Sequence, residues 1–356
     1  MKILMVGPTL KLKGGISSVL SNYFSYKNEF NDKQAEIDGF NSINTKNKLT
    51  QMLAFPSILA QFFIKIKDYD IIHIHVSSYG SFIRKNILAK ICKINKKPYV
   101  VHLHGSEFKL FYNNSSKKRK NSIKVFFDSA SKIIVLGEEW KQFIGGIVDD
   151  SNKIYVLNNA VPLPERQSYE KKVNNKKLIL GFLGQIGERK GIFDLINSVD
   201  SFSNEVEIEL LIAGNGEQEL LQKKILAANN KHRFINMGWI NNLERQNFLN
   251  SIDVLVLPSY NEGLPMSILE AMSYKKPIIS TNVGSIEEAV LNDINGFIIN
   301  PGNQEQLSQA IYKFLNNPAI IEEFGSKSIK IFVEKFLLQT HIDKLCTLYR
   351  EIKGRE

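Results

Sequence analysis

The sequence predicts an α/β protein built from two doubly wound, Rossmann-like domains that face a central cleft. The chain has 356 residues, more than one hydrophobic core usually spans. Short apolar runs alternate with amphipathic stretches throughout, and the alternation lapses once, near the middle of the chain. Because parallel strands need a crossover helix between them, two such series indicate two parallel sheets covered by helices.

The first series of elements lies in residues 1–165, which we assign to the N-terminal domain. Each predicted strand is a short apolar-rich run, and each predicted helix has an amphipathic period. The strands are residues 3–6, 71–75, 99–103 and 133–136, and the helices include residues 16–26, 52–66 and 83–94. This order of elements is typical of a parallel sheet wrapped by helices.

A linker and a second series of elements follow. Residues 162–175 read P-L-P-E-R-Q-S-Y-E-K-K-V-N-N, which breaks the apolar pattern, so we place the second domain at residues 166–335. Residues 336–356 carry a final helix, at about 338–353. This helix could return to the first domain, but periodicity alone does not show whether it does. The strands of the second domain are residues 178–183, 207–213, 233–237, 254–257, 277–280 and 296–299, with helical sequence from about residue 304.

Composition and cysteine usage indicate a soluble protein, with 43% apolar and 23% charged residues. Cys92 and Cys346 both lie in apolar helical patterns, which favours buried free thiols over a disulfide framework or a metal cluster. The apolar N-terminal run is too short for a signal peptide, and no uninterrupted apolar run reaches 18 residues. We therefore expect a cytoplasmic protein without a membrane span.

Positive charge is concentrated in the first half of the chain. Residues 1–160 carry 24 Lys and Arg against 12 Asp and Glu, whereas residues 161–356 carry 22 against 24. Such asymmetry indicates nucleic acid, an anionic membrane surface or a phosphorylated substrate, and a solvated basic face explains it equally well. The chain has no RNA-binding signature, helix-turn-helix pattern or zinc-ligand spacing, which disfavours nucleic acid.

Basic and apolar residues occur together in this half, which favours peripheral attachment to an anionic membrane surface. The basic residues are Lys93, Lys96, Lys97 and the run Lys117-Lys118-Arg119-Lys120, and the apolar ones are Phe108, Leu110, Phe111 and Tyr112.

Two glutamates eight positions apart form the most informative motif. Glu262 and Glu270 begin and end the segment E-G-L-P-M-S-I-L-E, which follows the predicted strand at 254–257. Gly263 and Pro265 indicate a tight turn before a helix, so one carboxylate lies in a loop at a strand's carboxyl end and the other in the next helix. In an open α/β sheet this location is a ligand crevice that suits an anion. The alternative is a surface glutamate and a helix glutamate in ordinary salt bridges.

Two glycine-rich loops also follow predicted strands, and each is a weaker indication of an anion site. After strand 178–183 the chain reads G-Q-I-G-E-R-K-G, and Arg189 and Lys190 would neutralise a diphosphate there, unless they are simply exposed at a helix start. Gly14 and Gly15 open a helix after the first strand, where a phosphate can approach backbone amides, although a simple turn explains them as well. Neither a dinucleotide fingerprint nor a P-loop pattern is present.

One histidine follows the third predicted strand of the first domain, and three others lie within strands. His104 comes directly after strand 99–103 and before Gly105, so it can offer a hydrogen bond or act as a general base in the cleft, although packing is an equal alternative. His73, His75 and His102 lie within strands, and we expect them to be packed.

Together these segments resemble the retaining glycosyltransferases of family 4, which have the GT-B fold. The resemblance covers nearly the whole chain and rests above all on the two glutamates with seven residues between them. The other motifs that carry it are Gly14-Gly15-Ile16, His104-Gly105, Asn158-Asn159-Ala160-Val161, Gly184, Arg189-Lys190-Gly191 and Gly214-Asn215-Gly216.

The resemblance implies a role for each matching residue. Glu262 lies beside the reacting sugar, His104 contacts that sugar, and Lys190 holds the diphosphate, so these three form the catalytic group. Glu270 binds the ribose hydroxyls, and the amides of Gly15 and Ile16 approach the phosphate. The remaining donor-binding positions are Gly14, Gly184, Gln185, Arg189, Gly238, Trp239, Ile240, Leu264, Pro265, Met266 and Ser267.

The implied activity is retaining, metal-independent transfer of a hexosyl or N-acetylhexosaminyl group from a nucleoside-diphosphate sugar, most simply a UDP sugar. The acceptor would be a lipid-linked or membrane glycan, bound by the first domain at the inner face of the cell membrane, with no cofactor and no nucleic acid. One departure is Gln185, where many members have an arginine; Arg189 is the residue that could replace this charge. The alternatives are an epimerase of the same fold and a non-catalytic nucleotide-sugar or glycan-binding protein.

Overall fold

The computed structural model describes residues 1–45, 47–164 and 177–354. The chain divides into two compact units, each described by itself: unit 1 contains Met1–Ala160 and Leu338–Glu356, and unit 2 contains Val161–Leu337. Each unit holds one six-stranded sheet, and the paired strands are parallel.

Unit 1 has the strand order β2-β1-β3-β4-β5-β6. Its strands are β1 Lys2–Pro8, β2 Glu36–Ile43, β3 Ile71–Val76, β4 Tyr99–Leu103, β5 Lys132–Val135 and β6 Ile154–Val156. Its helices are α1 Gly15–Ser25, α2 Lys27–Asp32, α3 Lys48–Lys65, α4 Gly80–Ile94, α5 Phe108–Asn113, α6 Lys117–Asp128 and α7 Glu138–Gly145, with α14 Leu338–Lys353 at the end of the chain. The central strands β3, β4 and β5 are buried along their whole length, as expected for a parallel sheet with both faces covered.

Unit 2 has the strand order β12-β11-β10-β7-β8-β9. Its strands are β7 Leu178–Leu183, β8 Ile208–Ala213, β9 Phe234–Gly238, β10 Val254–Leu257, β11 Ile278–Thr281 and β12 Gly296–Ile299. Its helices are α8 Ile192–Asp200, α9 Gln218–Ala227, α10 Asn242–Ser251, α11 Met266–Ser273, α12 Gln304–Asn316 and α13 Ala319–Lys335. The chain order reverses direction between the adjacent strands β7 and β10, which is where ligands bind in folds of this kind.

The predicted α/β class with two doubly wound, Rossmann-like domains is confirmed. Strands β2 and β6, the two edge strands of unit 1, were not among the predicted strands. Strand β2 has charged and polar residues among its apolar ones, and β6 has only three residues, so neither forms the apolar run by which the inner strands were recognised. The predicted linker at 162–175 lies mostly outside the described residues.

The C-terminal helix α14 is part of unit 1. Its His341 Nε2 lies 2.6 Å from Tyr23 Oη on α1, and its Tyr349 Oη lies 2.5 Å from His73 Nδ1 on β3. Cys346 on this helix and Cys92 on α4 are buried and free, which confirms the structural part of the cysteine prediction.

One expectation about apolar residues was wrong. Phe108 and Phe111, predicted to contact a membrane, are buried in the core of unit 1, and only Leu110 in that group is well exposed. By length and composition, residues 49–68 meet the criteria of a membrane-spanning helix, with a mean hydropathy of 1.4 and 17% of the apolar window buried. The sequence predicted a helix at residues 52–66, but isolated polar residues interrupt its apolar run, so no uninterrupted run of 18 residues is present.

Candidate active site

Glu262 is the centre of a polar cluster at the carboxyl end of β10. Glu262 is 7% exposed, and its carboxylate accepts a hydrogen bond from Ser259 Oγ at 2.9 Å and forms an ion pair with Lys190 Nζ. Lys190 follows β7, the neighbouring strand, and its side chain is only 13% exposed. A buried carboxylate needs a cation and a hydrogen-bond donor, and both are present.

Close backbone approaches hold this cluster in place. Gly191 has a left-handed backbone with φ of 69°, and a Cβ atom there would lie 2.1 Å from the carbonyl oxygen of Pro258. Gly284 has φ of 60°, and a Cβ atom there would lie 2.2 Å from the carbonyl oxygen of Glu262. Only glycine fits such positions, so the loops after β7, β10 and β11 can pack directly against one another.

Arg189 adds a second cation to the cluster. Its Nη1 donates to the carbonyl oxygen of Asn261 at 2.9 Å and lies 3.8 Å from Glu262 Oε1. Its own carbonyl oxygen accepts from the Tyr260 amide at 2.9 Å. Two positive side chains therefore surround one carboxylate, which leaves excess positive charge to attract a diphosphate.

Helix α11 begins immediately after the cluster. Pro265 precedes its first residue, and in the described part of the chain no side chain caps the helix start. The first amides of an uncapped helix can bind an anion, and the helix dipole favours negative charge at this end. Leu264 is buried at 3% exposure and fixes the turn, while Met266 and Ser267 start the helix.

Glu270 lies one turn into α11 and has a different partner. Its Oε1 is 2.9 Å from Arg245 Nη1 on α10, and its side chain is 15% exposed. Burial raises the pKa of the Glu270 carboxyl, and the Arg245 guanidinium opposes this effect. The two glutamates of the motif are therefore held by separate cations.

Three glycines connect the carboxyl ends of β7, β8 and β9, at the same edge of the sheet. The amide of Gly184 donates to Ala213 O at 3.0 Å, and the amide of Gly214 donates to Gly238 O at 2.7 Å. A Cβ atom on Gly214 would lie 1.7 Å from the carbonyl oxygen of Gly184, which no other residue allows. Gln185, in the loop after β7, is exposed.

Trp239 and Ile240 follow Gly238 at the end of β9. Trp239 is 52% exposed, while Ile240 is 9% exposed. An exposed indole beside a buried aliphatic side chain offers a flat apolar surface of the kind on which a nucleobase can stack.

In unit 1, Gly14 and Gly15 form the start of α1. Both are exposed, and a Cβ atom on either would meet nothing within 4 Å. Gly14 has extended backbone and no capping side chain, so packing does not require glycine there. Together with the half-buried Ile16, they leave the amides at the helix start open to an anion.

His104 follows β4 and belongs to a group of stacked imidazoles. Its Nε2 lies 2.9 Å from His75 Nδ1, and its ring centroid is 4.0 Å from that of His102. Burial, with a smaller contribution from His341, lowers the pKa of His104 to about 3. A neutral imidazole with so low a pKa is a weak proton acceptor, which favours a hydrogen-bonding role over general-base catalysis.

The expectation that His73, His75 and His102 are packed is confirmed, since all three are fully buried. One nitrogen from each lies within 4.8 Å of the others, a separation that a metal site can use. However, Tyr349 and His102 already engage both nitrogens of His73, and the rings of His73 and His75 are stacked with an interplanar angle of 15°. The arrangement fits a hydrogen-bonded cluster better than a metal site.

The structure therefore brings the predicted residues of unit 2 to one edge of its sheet, with Glu262, Arg189 and Lys190 in mutual contact. His104 and the start of α1 lie in unit 1. Sequence reasoning missed Ser259, Arg245 and His75, the partners of Glu262, Glu270 and His104. Only Ser259, three positions before Glu262, gave a signal in sequence, as a hydroxyl at the end of a strand.

Known proteins resemble this chain in both sequence and fold. A family model described as glycosyl transferases group 1 matches residues 165–331, and one described as glycosyltransferase family 4 matches residues 25–164. The chain is 27% identical over 303 residues to an Escherichia coli UDP-Gal:α-D-GlcNAc-diphosphoundecaprenol α-1,3-galactosyltransferase, covering 80% of this chain and 76% of the relative. It is 25% identical over 292 residues to a 2-deoxystreptamine N-acetyl-D-glucosaminyltransferase of Niallia circulans, covering 77% and 74%.

A solved structure gives the same fold. Anabaena HepE, in complex with UDP and glucose, superimposes with a TM-score of 0.79 at 17% identity, covering 99% of this chain and 100% of that one. The two family models are consecutive and together cover residues 25–331; the family 4 model matches unit 1 from residue 25 to Ala160, and the group 1 model matches nearly all of unit 2. The chain belongs to the family-4-like glycosyltransferases of GT-B fold, and its activity is glycosyl transfer.

Proposed function

We propose that this glycosyltransferase moves a hexosyl or N-acetylhexosaminyl group from a UDP sugar to a lipid-linked or membrane glycan acceptor, with retention of anomeric configuration and without a metal. The observation that carries the proposal is the cluster of Glu262, Lys190 and Arg189 at the carboxyl ends of β7 and β10. It offers the charges that a nucleoside-diphosphate sugar requires at the point where the order of strands reverses.

The diphosphate is the part of the donor that the cluster fits best. A diphosphate leaving group gains negative charge as the glycosidic bond breaks, and Lys190, Arg189 and the uncapped start of α11 favour that charge. When the donor binds, the phosphate replaces part of the ion pair between Lys190 and Glu262. The Glu262 carboxylate is then available to stabilise the positive charge that develops on the sugar.

The nucleoside binds on the other side of α11. Glu270, held by Arg245, accepts hydrogen bonds from the ribose hydroxyls, and Trp239 flanks the base. The choice of UDP is supported by the E. coli relative, which uses UDP-Gal, and by HepE, which binds UDP.

The reaction is a same-face substitution at the anomeric carbon. The bond between that carbon and the β-phosphate oxygen breaks, the acceptor oxygen bonds to the carbon from the same face, and the acceptor proton passes to the departing phosphate oxygen. The family resemblance assigns His104 to the donor sugar and the amides of Gly15 and Ile16 to the phosphate. With a pKa of about 3, His104 acts as a neutral hydrogen-bonding group.

The acceptor and the location follow from the charge of the first domain. Residues 1–160 carry a net charge of +12, which favours the anionic inner face of the cell membrane, where lipid-linked glycan precursors are built. The E. coli relative acts on a diphosphoundecaprenol-linked sugar, which supports an acceptor of this class in cell-surface polysaccharide synthesis.

Donor screening followed by product analysis tests the proposal. Thermal unfolding is measured with a panel of UDP, GDP, ADP and dTDP sugars, and a UDP sugar is expected to raise the midpoint most, by mass action. Transfer to a lipid-diphosphate sugar is then followed with EDTA present, and the anomeric configuration of the product is read by NMR. An inverted product contradicts retention, loss of activity in EDTA contradicts metal independence, and an epimerised donor without transfer replaces the proposal with an epimerase.

A further inference from the structure

We propose that helices α3, α4 and α6 of unit 1 form a docking surface that lies flat on an anionic lipid bilayer, with the outer face of α3 inserted among the lipids. This proposal rests on the peripheral membrane location given above and assigns the surface responsible for it.

Helix α3 is apolar on two opposite faces. On the inner face, Ile58 and Phe62 are buried in the core of unit 1, with Ala54, Phe55 and Leu59 packed against that core. A helix that only covers a sheet has a polar outer face, whereas a helix that is apolar all round also has an apolar neighbour on its other side. The fold explains why the inner face is apolar, but it does not explain why the outer face is apolar too.

The outer face is a continuous apolar stripe. Leu49, Met52 and Leu53 are 63%, 68% and 72% exposed, and Phe63 and Ile64 continue the stripe at the other end with 44% and 68%. Their spacing repeats every three to four residues, and Pro56 and Ala60 lie between them, so all share one side of the helix. Contiguous apolar patches of this kind on a soluble protein mark interaction sites.

Basic helices flank the stripe. Arg84 Nη1 on α4 donates to Gln51 Oε1 on α3 at 3.1 Å, and Asn86 Nδ2 on α4 donates to Ser122 Oγ on α6 at 2.9 Å, so the three helices are side by side. By sequence they contain eleven Lys and Arg residues and a single acidic residue, Asp128. Asp128 pairs with Lys124, as does Asp149 from outside the surface.

This combination of charge and apolar exposure fits a bilayer. Exposed Lys117, Lys118 and Arg119 start α6, and exposed Lys90 and Lys93 lie on α4 beside exposed Ile94. Lysines near an anionic membrane surface contribute electrostatic attraction, while the apolar stripe enters the boundary between headgroups and acyl chains. A second copy of the same surface would bring like charges together, which disfavours self-association through it.

The helix lies on the membrane and does not cross it. An 18-residue helix is about 27 Å long, close to the thickness of the hydrocarbon core. Crossing would remove Ile58 and Phe62 from the core of unit 1 and expose the face of the sheet that they cover. Lying flat inserts only the outer face and leaves the fold unchanged.

Vesicle flotation of the full chain tests the surface. Wild-type protein is compared on phosphatidylcholine vesicles with and without phosphatidylglycerol, at low and high salt. Two variants disrupt the surface: Met52→Asn with Leu53→Asn on the stripe, and Lys117→Gln with Lys118→Gln and Arg119→Gln on α6. The matched controls lie on α9 of unit 2: Leu226→Asn, at a residue that is 63% exposed, and Lys223→Gln with Lys224→Gln.

Binding is expected only to vesicles that contain phosphatidylglycerol, and salt is expected to weaken it. The charge variant should lower the partition coefficient about 100-fold and the stripe variant at least about tenfold, while both controls bind like wild type. Wild-type protein that does not float with anionic vesicles, surface variants that float normally, or controls that fail equally would each overturn the proposal. Preferential capture by an acidic protein without vesicle binding would replace the bilayer with a protein partner.

Donor binding separates this proposal from the proposed function. The thermal shift caused by a UDP sugar is measured for each variant, because the residues assigned to the donor, in unit 2 and at His104 and the start of α1, lie outside helices α3, α4 and α6. Surface variants that keep the full UDP shift but lose vesicle binding support the docking surface whichever acceptor the enzyme uses. A wild type that binds vesicles but shows no shift with any nucleotide sugar contradicts the proposed donor chemistry and leaves the surface standing.

Discussion

Lys190 and Glu262 are 72 residues apart in sequence, and their side chains form an ion pair at the carboxyl ends of two adjacent strands. Lys190 follows β7 and Glu262 follows β10, and these strands are neighbours only because the chain order reverses between them. The pair therefore depends on the doubly wound topology. It places a cation for the leaving group beside a carboxylate for the reacting sugar.

Removing the negative charge of Glu262 should abolish most of the activity. We expect Glu262→Gln to lower kcat at least about 100-fold, because the amide keeps the size of the side chain but cannot stabilise a positive sugar. Steady-state transfer assays measure this loss. The exposed Glu219→Gln on α9 is the control and should remain fully active, and an active Glu262→Gln would show that another group faces the sugar.

Arg189 should supply the diphosphate with the positive charge that the neutral Gln185 does not provide. We expect Arg189→Ala to raise the KM for the donor about 10- to 100-fold, since a hydrogen bond to a charged group contributes about 1.5–3 kcal/mol. Introducing Gln185→Arg into the Arg189→Ala background should recover most of this affinity. If the double variant is no better than Arg189→Ala, the position after Gly184 does not reach the diphosphate.

The pKa of Glu270 predicts opposite pH effects on stability and donor binding. Burial raises this pKa in the folded state, so the folded protein holds a proton that the unfolded chain has lost, and stability falls as pH rises through the folded value. Relative to Glu270→Gln, wild type should therefore lose thermal stability as the pH rises from about 4. UDP affinity, measured by calorimetry, should instead increase over the same range because the ionised carboxylate is the better acceptor for ribose hydroxyls.

Arg245→Leu provides the internal check on that prediction. Without the guanidinium the pKa of Glu270 should rise further, so the pH dependence of UDP binding should move to higher pH. An unchanged profile would mean that Glu270 does not contact the ribose.

Periodicity predicted most inner strands to within one or two residues because their apolar runs are uninterrupted. It could not predict β2 and β6, since an edge strand pairs with only one neighbouring strand and tolerates a charged or very short sequence. For α3 it predicted a helix but not which side would face the core, because both sides are apolar.

The site residues that lie directly after a strand in sequence were predictable. The loop residues Arg189, Lys190 and Glu262 each follow a recognisable strand, and the carboxyl ends of parallel strands share one edge. The partners Arg245 and His75 were not predictable, because each contact depends on side-chain packing that a sequence pattern does not contain, whereas Ser259 gave only the signal of a hydroxyl at the end of a strand.

The buried histidines should make unit 1 more sensitive to acid than unit 2. Burial lowers the pKa of His73 and His104 to about 3 and that of His341 to about 4, and lowers those of His75 and His102 as well. An unfolded histidine takes up a proton near pH 6.5, so the unfolded state binds more protons below that pH. The stability that the neutral histidines contribute to unit 1 is therefore fully present above about pH 6.5 and is lost as the pH falls toward the folded-state pKa values of about 3 to 4.

Hydrogen exchange followed by mass spectrometry can measure the two units in the same protein. Between pH 7 and 4, after correction for the intrinsic exchange rate, peptides from β3, β4 and α14 should lose protection first, while those from β7 and β10 remain protected. His341→Gln removes one titrating group and should flatten the pH dependence of unit 1, even though it also breaks the contacts with Tyr23 and Asn158. His232→Gln, at the exposed histidine of unit 2, is the control and should change neither unit; equal loss of protection in both units would contradict the role of the histidine cluster.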